Sequence, residues 1–175
     1  MRLLSGIHLL LPLVSLSLTL LAQKPKIKAD KKYGYSVIIP EWLSIKSNAN
    51  PFGGTLPAVD SIENAILIMG YSKSEFKSFE EFKTIYISGN KFGQPTLYSS
   101  EHIFYGRNEY DYKIIQNGVR SRLFLFWRNH IYHANFVLLE TPKSYLWIQF
   151  MATPTTYEIN LPKFDVFLEG LKIEN

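Results

Sequence analysis

Residues 110–153, YDYKIIQNGVRSRLFLFWRNHIYHANFVLLETPKSYLWIQFMAT, decide the fold. β-branched and aromatic residues fill four short runs, at 110–115, 120–127, 131–139 and 145–153, as they do in strands. Short turn sequences, Gln116-Asn117-Gly118 and Arg128-Asn129-His130, separate the first three runs. Consecutive hairpins predict an antiparallel meander, and residues 96–105 add a further strand before it.

Upstream, the pattern predicts strands at 33–40 and 65–71, with 42–46 continuing or pairing with the first. Residues 47–57, rich in Asn, Pro and Gly, favour a loop. Ser78 and Glu81 have the spacing of a capping box, in which each side chain binds the backbone amide of the other residue. This box predicts an amphipathic helix that buries Phe79, Phe82 and Tyr86 and ends at Gly89.

A second helix is predicted near the end of the sequence. Pro162 is expected to break any helix that begins at Thr155, so the predicted helix starts near Asn160 and ends at Gly170. Its apolar positions are Leu161, Phe164, Phe167, Leu168 and Leu171. The order of strands, helix, meander and helix predicts an α+β fold, an antiparallel sheet with helices packed on its faces as an α/β/α sandwich. Residues 33–175 form the single domain.

The opening Tyr35-Ser36-Val37-Ile38-Ile39-Pro40-Glu41-Trp42 resembles the strand, Pro and Trp opening of PsbP-like domains. The capped helix after a buried strand is similar to their middle. The strand at 144–150, the turn containing Tyr157 and the last helix are similar to their end. The resemblance covers about residues 33–173. It implies a binding or assembly protein, often an exported bacterial one, and it carries no functional residue over to this sequence.

The N-terminus has the pattern of a secretory signal peptide. Arg2 supplies a positive charge, an apolar run follows to Leu21, and Ala22 offers a small residue for cleavage. The run is about as long as a spanning helix, so a retained anchor is the alternative. We expect cleavage after Ala22 and export to the periplasm or the extracellular space. The sequence has no cysteine, which excludes disulfides, thiol catalysis and a lipid-modified cysteine.

Residues 23–32, QKPKIKADKK, are interpreted as a basic linker. The segment could touch an anionic membrane weakly through its lysines between Lys24 and Lys32, and a solvated tail is the plainer expectation. Without Arg2, the net charge of +4 falls to +3, which is too low to indicate nucleic acid as a partner.

One strand offers a candidate partner-binding surface. In a regular strand, Arg120, Arg122, Phe124, Phe126 and Arg128 share a face, and Leu123, Leu125 and Trp127 face the core. Arginine and aromatic residues are enriched in protein interfaces, so this face could bind an envelope protein. The alternative is that the two phenylalanines pack under a helix while the arginines extend into solvent.

Other polar groups give weaker patterns. His130 with His133 could suggest a metal, Glu101 with His102 an acid–base pair, and Glu109 with Asp111 a pair of carboxylates. Strand geometry separates the first two pairs onto opposite faces, and nothing supports the third. The sequence therefore predicts no enzyme, cofactor or metal. It favours an exported module that binds or assembles with a protein; the alternative is a small-ligand carrier with an aromatic-lined pocket between sheet and helix.

Overall fold

The computed structural model describes residues 25–57, 62–115 and 117–174, without the side chains of residues 108–115. The predicted signal peptide at residues 1–22 lies outside the described residues. Eight strands form the main sheet, and every neighbouring pair is antiparallel. In sheet order they are β3 (Ser44–Asn48), β4 (Phe52–Leu56), β5 (Asn64–Ser72), β10 (Ser144–Ala152), β9 (His130–Glu140), β8 (Gly118–Trp127), β7 (Ser99–Ile115) and β6 (Pro95–Thr96).

The predicted meander is confirmed as β7 to β10. The two strands predicted at 96–105 and 110–115 are one long strand, β7, whose pairing with β8 shifts register twice. The β8–β9 turn places Arg128 and Asn129 at φ 47° and 64°. Asn117, before β8, has φ 58°. Asparagine tolerates this left-handed region better than most residues, so the turn sequences suit the turns they make.

A second sheet has three strands in the order β1 (Lys26–Asp30), β2 (Tyr35–Ile39) and β11 (Leu171–Ile173). The interpretation of residues 23–32 as a linker was therefore wrong for β1, whose backbone pairs with β2 from Lys26 opposite Ile39 onward. Lys26 is exposed, and Nζ of Lys28 donates to the carbonyl oxygen of Asn48 at 2.7 Å. Charged side chains on an edge strand discourage pairing with other chains, so a basic composition is compatible with a strand here.

The loop expected at 47–57 was also a wrong prediction, since it contains β4. Both glycines of β4 are required by close packing. A Cβ on Gly54 would lie 2.6 Å from the carbonyl oxygen of Ser44, and one on Gly53 would lie 2.9 Å from that of Ile66. Residues that indicate a loop in the sequence are thus the ones that let β4 approach both of its neighbours. The strand expected at 42–46 is β3, which pairs with β4 rather than with β2.

Helix α1 (Phe79–Lys83) begins after Ser78, as predicted, and a π-helical turn (Thr84–Ser88) continues it to Gly89. The Ser78 hydroxyl accepts the amide of Glu81 at 3.2 Å, but the Glu81 carboxylate accepts the amide of Lys77 instead of completing the box. A complete capping box lies at Ser72 and Glu75, before a short 3-10 turn.

Helix α2 (Pro154–Glu169) begins six residues earlier than predicted and runs through Pro162. Pro162 removes one backbone donor, and the carbonyl that loses its partner belongs to Glu158, four residues earlier. Both residues are exposed, so water can hydrate that carbonyl. Burial of Tyr157, Phe164 and Phe167 on the other side of the helix outweighs the proline. Gly170 ends α2 as predicted, and Leu171 belongs to β11.

The main sheet buries both of its faces. We call the side that carries Ile148 and Phe150 the α2 face, because it packs against α2 and the small sheet. The side that carries Trp147 and Phe136 is the α1 face, which packs against α1 and the π-helical turn. The predicted α+β fold, an antiparallel sheet between helices, is therefore confirmed.

Candidate binding surface

The strand singled out from the sequence has the predicted alternation. Leu123 and Leu125 are fully buried on the α1 face, and Trp127 packs at the margin of the same core. Arg120, Arg122, Phe124 and Phe126 lie on the opposite side of β8 and are all partly buried. What these four side chains contact decides which of them a partner could reach.

Arg120 joins the sheet to α2. Its Nε donates to Oδ1 of Asn135 at 2.8 Å, and its Nη1 lies 2.7 Å from Oδ1 of Asp165. The guanidinium carbon is 5.5 Å from the ring centroid of Phe164. Such stacking lets a guanidinium pack like an aromatic group while its N–H groups bind at the edge. Arg120 therefore stabilises the packing of α2 on the main sheet.

Arg122 makes a second bridge to α2, about two turns nearer the N-terminus of the helix. Its Nη2 is 2.7 Å from Nδ1 of His133, and its Nη1 is 3.4 Å from Oε1 of Glu158. Its guanidinium carbon lies 4.2 Å from the ring centroid of Tyr157. The alternative weighed from the sequence placed the arginines in solvent and the phenylalanines under a helix. The structure shows the reverse for Arg120 and Arg122.

Electrostatics around Arg122 favour neutral neighbours. Burial, and then the positive charge of Arg122, lowers the pKa of His133. The negative charge of Glu158 acts in the opposite direction and raises this pKa. Nδ1 of a neutral imidazole can accept a hydrogen bond from an N–H of the Arg122 guanidinium, as the contact requires. Burial also raises the pKa of Tyr157, whose hydroxyl accepts an N–H of Asn135 at 3.0 Å. These contacts hold α2 against the main sheet.

Arg128 does not belong to the face predicted for it. It follows the last residue of β8 and lies in the turn, where its positive φ takes the chain out of the strand alternation. Its guanidinium carbon is 4.5 Å from the ring centroid of Trp127. The predicted row of five residues is therefore a row of four.

Past Arg122, the α2 face is not covered by the helix, and five apolar side chains form what we call the aromatic stripe. They are Phe124 and Phe126 of β8, Ile131 of β9, Tyr105 of β7 and Phe92 of the loop before β6. Tyr105 connects the stripe, with its ring centroid 6.0 Å from Phe126 and 5.3 Å from Phe92. Ile131 lies directly opposite Phe126 in the register.

Solvent reaches much of this stripe. Phe92 is 70%, Ile131 49% and Tyr105 46% exposed. Gly106 lies opposite Phe124 and offers the ring no side-chain cover. Its φ of 140° favours glycine at this position. A contiguous apolar surface of this kind is uncommon on a protein that acts alone.

Sequence reasoning missed Phe92 and Tyr105. Alternation in the sequence does not place Tyr105, because the register of β7 shifts between Phe104 and Gly106; its contact with the Phe126 ring shows where it lies. Phe92 did carry a signal, since an aromatic residue between Asn90-Lys91 and Gly93 interrupts a polar segment. An aromatic side chain in a loop with no apolar neighbours in sequence often faces solvent or a partner.

The other polar candidates lie apart. Oε2 of Glu101 accepts the indole N–H of Trp127 at 2.9 Å, and His102 packs edge-on against the same ring. His130 is exposed at the start of β9. The side chains of Glu109 and Asp111 are outside the described ones. Among described residues, no three His, Asp or Glu side chains gather as metal ligands, and no helix is long and apolar enough to cross a membrane.

The part of the chain that the structure describes also has two open clefts on its surface. One of about 880 Å³ lies between the β1–β2 hairpin and β3, and includes Ile38, Leu43 and Ile45. Another of about 260 Å³ lies over β3, β4 and β5, with Gly53 and Ala65 in its floor. Neither lies between the main sheet and α2, and only the smaller has an aromatic residue in its wall, Phe52.

No protein-family model matches the chain, and no curated protein matches it. Solved structures do. A crystal structure of PA94 from Pseudomonas aeruginosa, a protein of unknown function, is 14% identical, covers 80% of this chain and 92% of its own, and has a TM-score of 0.49. The solution structure of cyanobacterial PsbP (CyanoP) from Synechocystis sp. PCC 6803 is 10% identical, covers 85% of this chain and 91% of its own, and has a TM-score of 0.47. The chain is thus similar to a PsbP structure over most of its length, at low sequence identity.

Proposed function

We propose that this protein is an exported, non-enzymatic module that binds a protein partner through the aromatic stripe. The observation that carries the proposal is the exposure of Phe92, Tyr105 and Ile131 in one contiguous row. Exposed apolar area costs free energy in water at roughly 25 cal/mol per Å², and a partner that covers the row recovers it. Aromatic side chains dominate the affinity of most protein interfaces, which fits the composition of the row.

Binding suits this face better than catalysis does. Its charged groups are held in contacts between the sheet and α2, as Arg120 is by Asp165 and Arg122 by Glu158. Groups tied in this way orient a helix and have little freedom to act on a substrate. The partner we expect is therefore an apolar protein segment. Exposed Lys91, next to Phe92, favours carboxylates at the edge of that segment.

Export is the second part of the proposal. It rests on the apolar N-terminal run after Arg2 and on the small residue Ala22 at its end. We expect the mature protein to begin at Gln23 and to meet its partner in the cell envelope or outside the cell. N-terminal sequencing of the protein from its native host tests this step, and recovery of a chain that still carries the apolar run would contradict it.

Site-specific photo-cross-linking tests the docking surface. A photoreactive phenylalanine analogue is placed at Phe92 in one variant and at Tyr105 in another, and each is expressed in the native host. The matched control carries the analogue at Val166, which is 53% exposed on α2 and outside the stripe. We expect both stripe positions to give the same cross-linked protein and the control position to give none.

A stripe that cross-links to nothing, or only to proteins that Val166 also captures, would overturn the docking proposal. The cross-linked partner, once identified, allows a second measurement. Tyr105→Ala should weaken its binding at least tenfold, as expected for an aromatic residue at the centre of an interface. Val166→Ala should leave the affinity unchanged.

A further inference from the structure

The α1 face contains a polar row where a core is normally apolar. Leu67, Gln149, Phe136 and Ser121 lie side by side across β5, β10, β9 and β8. Gln149 is 1% and Ser121 0% exposed, so the row is closed to solvent. Trp147 lies two residues before Gln149 on the same side of β10.

Polar side-chain atoms of this row and of neighbouring Trp147 have no hydrogen-bond partners among described residues. They are both amide atoms of Gln149, Oγ of Ser121 and Nε1 of Trp147. A buried polar atom without a partner costs free energy, and native proteins keep few of them. Gln149 is two residues from Trp147 on β10, and Phe136 of β9 lies between Gln149 and Ser121, so four such atoms in this part of the face call for an explanation.

Buried polar groups elsewhere in the core are mostly partnered. Asn135, 5% exposed, binds Arg120 and Tyr157. The Ser144 hydroxyl donates to the carbonyl oxygen of Tyr33 at 2.6 Å. Single unpartnered atoms do occur there, such as Nδ2 of Asn64 and of Asn160, whereas Gln149 lacks partners for both of its amide atoms.

Aromatic rings surround the row. The Trp147 ring centroid is 6.4 Å from Phe136 and 4.3 Å from Tyr98, whose own ring is 5.8 Å from His102. Burial raises the pKa of Tyr98 and lowers the pKa of His102, so both stay neutral near pH 7. A charged ligand would find no compensating charge among these residues, whereas a neutral planar one could pack between the rings.

We propose that Gln149, Ser121 and Trp147 bind a small neutral planar molecule that carries an amide or lactam edge. The Gln149 amide presents an N–H donor beside a carbonyl acceptor, which matches the acceptor and donor of a lactam. The indole N–H of Trp147 and the Ser121 hydroxyl supply further hydrogen bonds. Tyr98 is the movable wall of this site, because it follows the exposed loop segment 91–95 and a ligand would replace it against Trp147.

Uracil is a suitable probe, since it is neutral, planar and carries lactam edges. Quenching of tryptophan fluorescence and calorimetric titration on the chain from residue 23 to 175 report its binding. We expect uracil to bind with a Kd of about 1 mM or tighter. Pyridine, a ring of similar size without an amide, should bind at least tenfold more weakly.

Gln149→Leu is the decisive variant. It removes the amide, keeps the side-chain volume close, and should abolish uracil binding while leaving the thermal midpoint unchanged or higher, because it also removes two unpartnered atoms. Val166→Ala, at an exposed position of α2 on the other side of the main sheet, is the matched control and should bind uracil like the parent chain. Gln149 lies outside the aromatic stripe, so this inference and the docking proposal can fail independently.

Failure of uracil to bind the parent chain would overturn the inference, and so would equal binding of uracil and pyridine. A crystal structure after soaking with uracil gives the third outcome. Ordered water on Gln149 and Ser121, with no density for uracil, would show that hydration alone satisfies the row and would refute the proposed site.

Discussion

Two adjacent residues of α2 test what holds the helix on the sheet. Phe164 is fully buried, with its ring stacked on Phe150 at a centroid distance of 5.5 Å. Asp165, the next residue, pairs with Arg120 at the edge of the same contact, and its side chain is 46% exposed. If packing dominates, Phe164→Ala and Asp165→Asn should differ greatly, although the two residues are neighbours in the chain.

The magnitudes follow from burial. Truncating a fully buried phenylalanine removes its transfer free energy and leaves a cavity, so Phe164→Ala should lower the free energy of unfolding by about 3–5 kcal/mol. A pair that is half exposed is screened by solvent, so Asp165→Asn should cost about 1 kcal/mol or less. For a chain of this size, Phe164→Ala should lower Tm by roughly 6–20 °C, and Asp165→Asn should lower it by at most about 4 °C.

Urea unfolding of both variants, followed by circular dichroism and by tryptophan fluorescence, measures the two free energies. Coincident curves from the two probes would support the two-state treatment that this comparison needs. Equal destabilisation by the two substitutions, or a cost below about 1 kcal/mol for Phe164→Ala, would refute the view that apolar burial holds α2 in place.

Three further substitutions test single features. Ser78→Ala removes the cap of α1 and should cost about 1 kcal/mol in urea unfolding. Burial, and then Arg122, lowers the folded-state pKa of His133, so this histidine contributes stability above its unfolded pKa of about 6.5 that is lost as pH falls through the lower folded value. His133→Asn should therefore flatten the dependence of the free energy of unfolding on pH below about 6.5. Gly70→Ala would place a Cβ 2.3 Å from the Tyr33 ring and should lower Tm strongly, which a thermal scan would show.

The meander could be predicted because each of its strands carries its own signal. Alternation along β8 identified the core side through Leu123 and Leu125, and Asn117 marked a turn that needs positive φ. Local sequence and tertiary packing agree in this half of the chain. Agreement between levels is what makes a segment predictable from one sequence.

The wrong predictions share one cause: tertiary contacts outweighed a local signal. Pro162 is tolerated because the opposite side of α2 is deeply buried. Gly53 and Gly54 form a strand because neighbouring backbones come too close for a Cβ. The lysines of β1 are tolerated because only its backbone is needed for pairing. In each case the deciding contact is with residues distant in the chain, which a local pattern does not contain.

The candidate surface was partly predictable for the same reason. Alternation placed Arg122 and Phe124 on one face, but it could not say where α2 would end on that face. The helix covers the arginines and leaves the phenylalanines uncovered. The contacts that hold α2 therefore end, and the proposed docking surface begins, between Arg122 and Phe124 of β8. The position of α2 sets this boundary, although Glu158 of the helix is 36 residues from Arg122 in the chain.

The two faces of the sheet place different demands on the same strands. In β10, Ile148 and Phe150 pack under α2, while Trp147 and Gln149 alternate with them on the α1 face. A purely structural strand would have apolar residues at all four positions, and Gln149 is the exception. The α2 face supplies a large apolar core in which Ile148 and Phe150 are fully buried, so the fold can tolerate the cost of unpartnered polar atoms on the α1 face. That tolerance is the condition under which a buried polar row can persist for a function instead of for stability.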